Sequence, residues 1–132
     1  MRYKIAEHGL NWQVASAGTE NYHVGEAPHV LSQKVCREHN IDISAQRAQK
    51  FTKNHFAQYD LIYAMATDVL SEMKDILGVD GNSPKVILFM NELNPGSNKS
   101  VPDPYYGNED GYHKVYDMID TCCDVIIEKY KR

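Results

Sequence analysis

Two short, nearly unbroken apolar runs constrain this chain most. Residues 60–66 read Asp-Leu-Ile-Tyr-Ala-Met-Ala and residues 85–90 read Lys-Val-Ile-Leu-Phe-Met. Runs of this length without polar alternation are the mark of strands covered on both faces. Both are followed or preceded by segments of helical period. Residues 1–9 read as the tail of a helix ending at Gly9. Residues 28–39 suit an amphipathic helix with Val30, Leu31, Val35 and Cys36 as its apolar stripe and Pro28 near its start. Thr52 is placed to cap a short helical turn over 53–57. Thr67 or Asp68 starts a helix through Leu77, with Val69, Leu70, Met73, Ile76 and Leu77 at helical spacing and Gly78 as terminator. A last helix over about 110–130 carries Tyr112, Val115, Tyr116, Ile119, Cys122, Cys123, Ile126, Ile127 and Tyr130 on one face. A third, shorter strand is expected at 12–17 (Trp-Gln-Val-Ala-Ser-Ala), running into a loop at Gly18-Thr19. Helices alternating with buried strands predict an α/β domain with helices on both faces of a parallel sheet.

The 132 residues suit one domain, and 42% hydrophobic with 24% charged residues is globular composition. A formal charge of −4 offers no basic footprint for nucleic acid or an anionic membrane. No apolar run approaches the roughly 18–20 residues of a membrane helix. The first five residues do not lead into the apolar stretch of a signal peptide. The expectation is therefore a cytoplasmic protein with no nucleic-acid or membrane partner. Cys36, Cys122 and Cys123 are an odd count with two adjacent, a poor disulfide framework that fits a reducing compartment. No Cys-x-x-Cys pair and no zinc-like histidine spacing is present, so neither metal nor cofactor is expected. His8, His29, His39, His55 and His113 are read as solvent-facing or capping residues, and Trp12 as core or edge packing.

Ligands of parallel sheets sit at the carboxyl ends of the strands. Two segments fall there: Ser16 through Gly25, and Val101-Pro102-Asp103-Pro104-Tyr105-Tyr106-Gly107. In the second, Asp103 lies between two prolines, which stiffen the backbone on both sides and disfavour helix. A carboxylate on a stiff loop beside aromatic side chains suits a general acid acting on an aromatic leaving group. On composition alone a plain surface turn explains the same residues.

The order of Ser16-Ala17-Gly18-Thr19, Tyr22-His23-Val24-Gly25-Glu26-Ala27-Pro28, Ile41-Asp42-Ile43-Ser44, Asp60-Leu61-Ile62-Tyr63-Ala64-Met65 and the Pro-Asp-Pro-Tyr-Tyr-Gly loop resembles the low-molecular-weight protein tyrosine phosphatase family. Some arsenate reductases share its fold. The likeness covers nearly the whole chain. It implies a three-layer α/β/α domain over 1–132 with sheet order 2-1-3-4, and hydrolysis of phosphotyrosine in proteins, or of a small phosphoester, through a phosphocysteine. It implies that Asp103 is the general acid, that Tyr22, Tyr105 and Tyr106 line the substrate cleft, and that Ser16 supports the phosphate loop.

That loop, one Cys, five residues and one Arg, is not found. Six positions after Cys36, Cys122 and Cys123 stand Asp42, Glu128 and Lys129. By the resemblance the chain begins inside the first helix, after the central first strand. The missing piece would be on the order of 15–20 residues. An internal Met assigned as the start, or a truncated paralogue, would both account for it. Two smaller departures are Gln46, where many members have His, and Ala66, where many have Asp. Without the central strand, segments 12–17 and 60–66 are expected to slide together, or to pair with another chain by dimerisation or domain exchange. The chain alone is expected to be inactive. A non-catalytic interaction module built on the Tyr22/Tyr105/Tyr106 cleft is the alternative. An arsenate reductase would need further redox cysteines, and Cys122 and Cys123 lie far off on the last helix.

Overall fold

The computed structural model describes residues 1–20, 24–104 and 108–131. It contains helices α1 (Arg2–Glu7), α2 (Val30–Glu38), α3 (Lys53–Gln58), α4 (Thr67–Leu77) and α5 (Glu109–Tyr130). Strands β1 (Ile62–Ala64) and β2 (Val86–Leu88) pair in parallel, Ile62 opposite Val86 and Ala64 opposite Leu88.

The predicted stops hold for local reasons. Gly9 adopts φ 63°, and the Gly9 and Leu10 amides bond back to Ala6 and Ile5 carbonyls at 3.1 and 3.0 Å. That reciprocal pair closes the end of α1. Gly78 ends α4 with φ 64°. His29 caps α2, its Nδ1 accepting from the Leu31 amide at 3.1 Å. In α3 the Thr52 amide donates to His55 Nδ1 at 3.0 Å.

Side chains alternating along β1 enter two apolar layers. Ile62 and Ala64 pack with Phe51, Met73, Leu77 and Leu88 under α4. Tyr63 packs on the other face with Phe89, Met90, Cys122, Cys123 and Ile126 under α5. This is the helix-covered parallel pair that the unbroken apolar runs require. Lys4 ties α1 to α5 through Asp120 (2.8 Å) and Asp124 (2.7 Å). Ring stacking of His39 on Tyr116, centroids 4.0 Å apart, joins α2 to α5.

Three expectations need correction. The runs at 60–66 and 85–90 pair over three residues each. Residues 12–17 form no ladder: no backbone hydrogen bond joins them to another described residue, and the nearest pairing is an isolated parallel bridge between Gly18 and Lys50. Nor have 12–17 and β1 slid together. A trough remains between them, described below. Val30 is 70% exposed, so the stripe of α2 rests on Val35. As the first helical residue, Val30 projects its side chain back over the cap, beyond the packed turns.

A buried carboxylate, Glu92, joins the core to a half-exposed lysine of α5. Glu92, 8% exposed, accepts from the Tyr63 hydroxyl at 2.8 Å and pairs with Lys129 at 2.8 Å. Burial alone would push its carboxyl up; hydrogen bonds from Lys129 and Tyr63 instead hold it below the ordinary glutamate range. Burial and the Glu92 carboxylate together push the Tyr63 phenol up. Glu92→Ala removes the carboxylate that Tyr63 and Lys129 share and should lower stability by about 1–2 kcal/mol at neutral pH. A carboxyl with a depressed folded pKa stabilises above its unfolded value and loses that contribution as pH falls through the folded one. Thermal melts should therefore show the gap between wild type and variant narrowing below about pH 4.3. A gap independent of pH would refute the assignment.

Candidate active site

The loop that carries Asp103 is fastened to the carboxyl end of β1. The Val101 amide donates to the Met65 carbonyl at 2.7 Å, and Val101 is buried with the α5 layer. Ser100 Oγ accepts from the Thr67 amide at 2.9 Å, at the start of α4. Upstream, Asn91 and Asn98 close the polar loop, with Asn98 N donating to Asn91 Oδ1 at 2.8 Å and Asn91 Nδ2 to Asn98 Oδ1 at 3.0 Å. Asn98 takes φ 53°, a conformation asparagine tolerates better than most residues. Downstream, Pro104 lies against Gly111 of α5, where an added Cβ would be in van der Waals contact with the ring. Asp103 is thus exposed two residues beyond a buried anchor, its backbone bounded by two prolines.

Ser16 lies on the other side. It is exposed, and its carbonyl accepts from Gln49 Nε2 at 2.9 Å. The following turn is held by the Thr19 hydroxyl on Glu72 of α4, the Lys50 ammonium on the Thr19 carbonyl, and the Gly18–Lys50 bridge. Ser16, Gln49, Met65 and Val69 are walls of one cavity of about 280 Å³. The Ser16 segment and the end of β1 therefore face a common space, and Asp103 is not among its walls. Gln46 lines a neighbouring cavity of about 290 Å³ that Ser16 also borders. Tyr22, Tyr105 and Tyr106 lie outside the described residues.

No described cysteine is arranged as a nucleophile. Burial, reinforced by Cys123, pushes the Cys122 thiol up to about 11, and its Sγ donates to the Phe89 carbonyl at 3.2 Å. Burial also pushes up Cys123 and Cys36. All three sit inside helices, away from any strand-to-helix turn. Among the described residues one trio brings metal-ligand atoms together: His113 Nε2 lies 3.2 Å from Glu109 and 3.7 Å from Glu38. Lys34 also pairs with Glu109, and with His113 it holds that carboxyl below its ordinary range. This exposed ion-pair network links α2 to α5.

The architecture is that of the parallel-sheet α/β class covered by helices, in which ligand sites fall at the carboxyl ends of the strands. The family model of low molecular weight phosphotyrosine protein phosphatases matches residues 1–132, and the chain belongs to that family. It is 31% identical over 119 residues to the mouse low molecular weight phosphotyrosine protein phosphatase, covering 90% of this chain and 75% of that one. It is 30% identical over 129 residues to the protein-tyrosine-phosphatase PtpA of Staphylococcus aureus, covering 97% and 79%. Among solved structures, a Vibrio cholerae low molecular weight phosphotyrosine phosphatase superposes with TM-score 0.88 at 25% identity, covering 99% and 84%. Vibrio vulnificus Wzb, solved in complex with benzylphosphonate, gives TM-score 0.81 at 25% identity, covering 90% and 80%.

The buried thiols carry a direct test. At pH 8 the thiolate share of Cys122 should be about 100-fold below that of an ordinary thiol. A chromogenic disulfide should label Cys122 and Cys123 only at the rate of opening, and all three thiols at once in denaturant. Rapid labelling of either residue in the folded protein would contradict the packing.

Proposed function

We propose that these residues carry the acid and leaving-group side of a phosphotyrosine phosphatase site, and that this chain by itself does not turn over phosphoesters. The observation that carries the reading is Asp103 on a proline-bounded loop, tied through Val101 to the end of β1, in a chain where no Cys stands six residues before an Arg.

In the family reaction a thiolate attacks phosphorus while the bond to the phenolic oxygen breaks. Asp103, as the general acid, gives its proton to that oxygen. Its carboxylate then takes a proton from the water that attacks the phosphocysteine. Tyr22, Tyr105 and Tyr106 are assigned to the walls around the aromatic ring by their sequence positions. Ser16 is assigned to supporting the phosphate loop, and its place in the cavity beside Met65 is consistent with that. The substrate class is a phosphotyrosine protein or a small aryl phosphoester, with no cofactor, in the cytoplasm. Benzylphosphonate bound to the Vibrio vulnificus relative is an aromatic phosphonate of the same class. The second reading, a binding module without catalysis, is favoured by the buried, high-pKa thiols.

p-Nitrophenyl phosphate separates the readings. The purified 132 residues should release no nitrophenolate above the buffer rate. Calorimetry with a phosphotyrosine peptide should detect weak binding or none, because no phosphate clamp is present. Turnover that survives repurification and is abolished by Asp103→Asn would overturn the inactivity, and tight peptide binding would establish the module.

A further inference from the structure

Rings hold α2 against α5 at both ends of α2. His29, the cap of α2, stacks on Tyr112 with centroids 5.3 Å apart, and His39 at the other end stacks on Tyr116 at 4.0 Å. Between the two stacks along α2, Val35 is buried. These contacts fix the two backbones, so polar side chains on neighbouring turns meet in a set geometry.

Glu109 and His113 stand one turn apart on α5, and Glu38 meets them from the last residue of α2. His113 Nε2 lies 3.2 Å from a Glu109 carboxylate oxygen and 3.7 Å from one of Glu38, and the three atoms all lie within 4.8 Å of one another. Zinc bonds of about 2.0–2.2 Å to nitrogen and oxygen put tetrahedral ligands about 3.3–3.6 Å apart. Small rotations of these side chains therefore bring three donors onto one ion. Their exposure, 36–47%, leaves the cluster open to an ion from solvent.

Charge points the same way. Two carboxylates meet here, and the permanent cation paired with them among the described residues is Lys34, on Glu109. The Glu38 oxygen faces the imidazole at a distance too long for a hydrogen bond. Two carboxylates on one ammonium leave a surplus negative charge that a dication offsets. An imidazole with two carboxylates is a donor set that suits zinc, whereas magnesium demands near-octahedral oxygen ligands and keeps its waters. We propose that Glu38, Glu109 and His113 form a zinc site that ties α2 to α5, with one oxygen of each glutamate and His113 Nε2 as ligands and water in the fourth position. Lys34 competes with the ion for Glu109. The proposal is independent of the phosphatase reading.

The probe is zinc(II) alone, titrated by calorimetry into the metal-free full chain at neutral pH. One zinc per chain should bind, saturating well below about 1 mM, the range of weak complexes. His113→Gln removes the nitrogen ligand and should weaken binding at least about tenfold, since even the outer partners of a ligand matter that much. Glu38→Gln should also weaken it, and Lys34→Gln should strengthen it severalfold by removing the competitor. His8→Gln, at an exposed histidine beyond α1, should change nothing. Unchanged helical circular dichroism checks that each variant is folded. Cobalt(II) in place of zinc should show the visible bands of tetrahedral coordination with no thiolate charge-transfer band. No saturable binding, equal affinity in His113→Gln, equal loss in His8→Gln, or displacement of zinc by millimolar magnesium would each overturn the site. A thiolate band would assign the metal to a cysteine and overturn it too. None of these readouts depends on catalysis, so turnover or its lack does not decide them.

Discussion

A parallel strand needs an apolar layer on each face, and the structure hangs on how β1 meets that demand. Its faces are filled and one edge is paired. The other edge opens on the trough. Three residues of ladder contribute little by themselves, since each net hydrogen bond is worth about 1 kcal/mol. Position in the molecule is therefore set by the layers. Leu77 and Met73 press on one face, and Cys122, Cys123 and Ile126 on the other. Burying a side chain of this size contributes roughly 1.5–3 kcal/mol. A handful of them outweighs every backbone bond that the strand pair makes.

The same imbalance explains why segment 12–17 stays where it does without a ladder. It is fastened from outside, by Arg2 and Gln49 on its carbonyls and by the Gly18–Lys50 bridge at its end. Trp12 sits against the α5 layer at its start. Closing the trough would require pulling these anchors, of which Arg2 belongs to α1, itself tied to α5 by Lys4 with Asp120 and Asp124. Sliding the walls together would trade formed contacts for a new register, and the anchored arrangement prevails.

Local chemistry was legible in the sequence and relational chemistry was not. Gly9 and Gly78 mark helix ends because a positive φ is written into the residue type. The face of α5 was legible because its period repeats over 22 residues. A strand at 12–17 could not be read reliably, since a strand exists only through its partner and alternation says nothing about whether one is present. Val30 lies outside the packed face because a helical stripe does not reveal which of its turns meets a neighbour. The Asp103 loop stood out through its two prolines. Glu92, 29 positions from Tyr63 and 37 from Lys129, carried no signal at all. Only packing brings that trio together.

The chemistry of the site follows from where charge can be generated. General acid catalysis contributes roughly 10²–10⁴-fold, and only to a bond already being broken by a nucleophile. A thiol becomes that nucleophile at a helix N-terminus or beside a cation, where the thiolate is favoured. Cys122 and Cys123 have the opposite surroundings: the middle of a helix, apolar neighbours, and a carbonyl accepting the Cys122 proton. Moving either toward reactivity would mean opening the layer that positions β1, and with it the Met65 carbonyl that holds the loop at Val101. The described buried thiols thus belong to the layer whose packing holds Val101 and the loop that follows it.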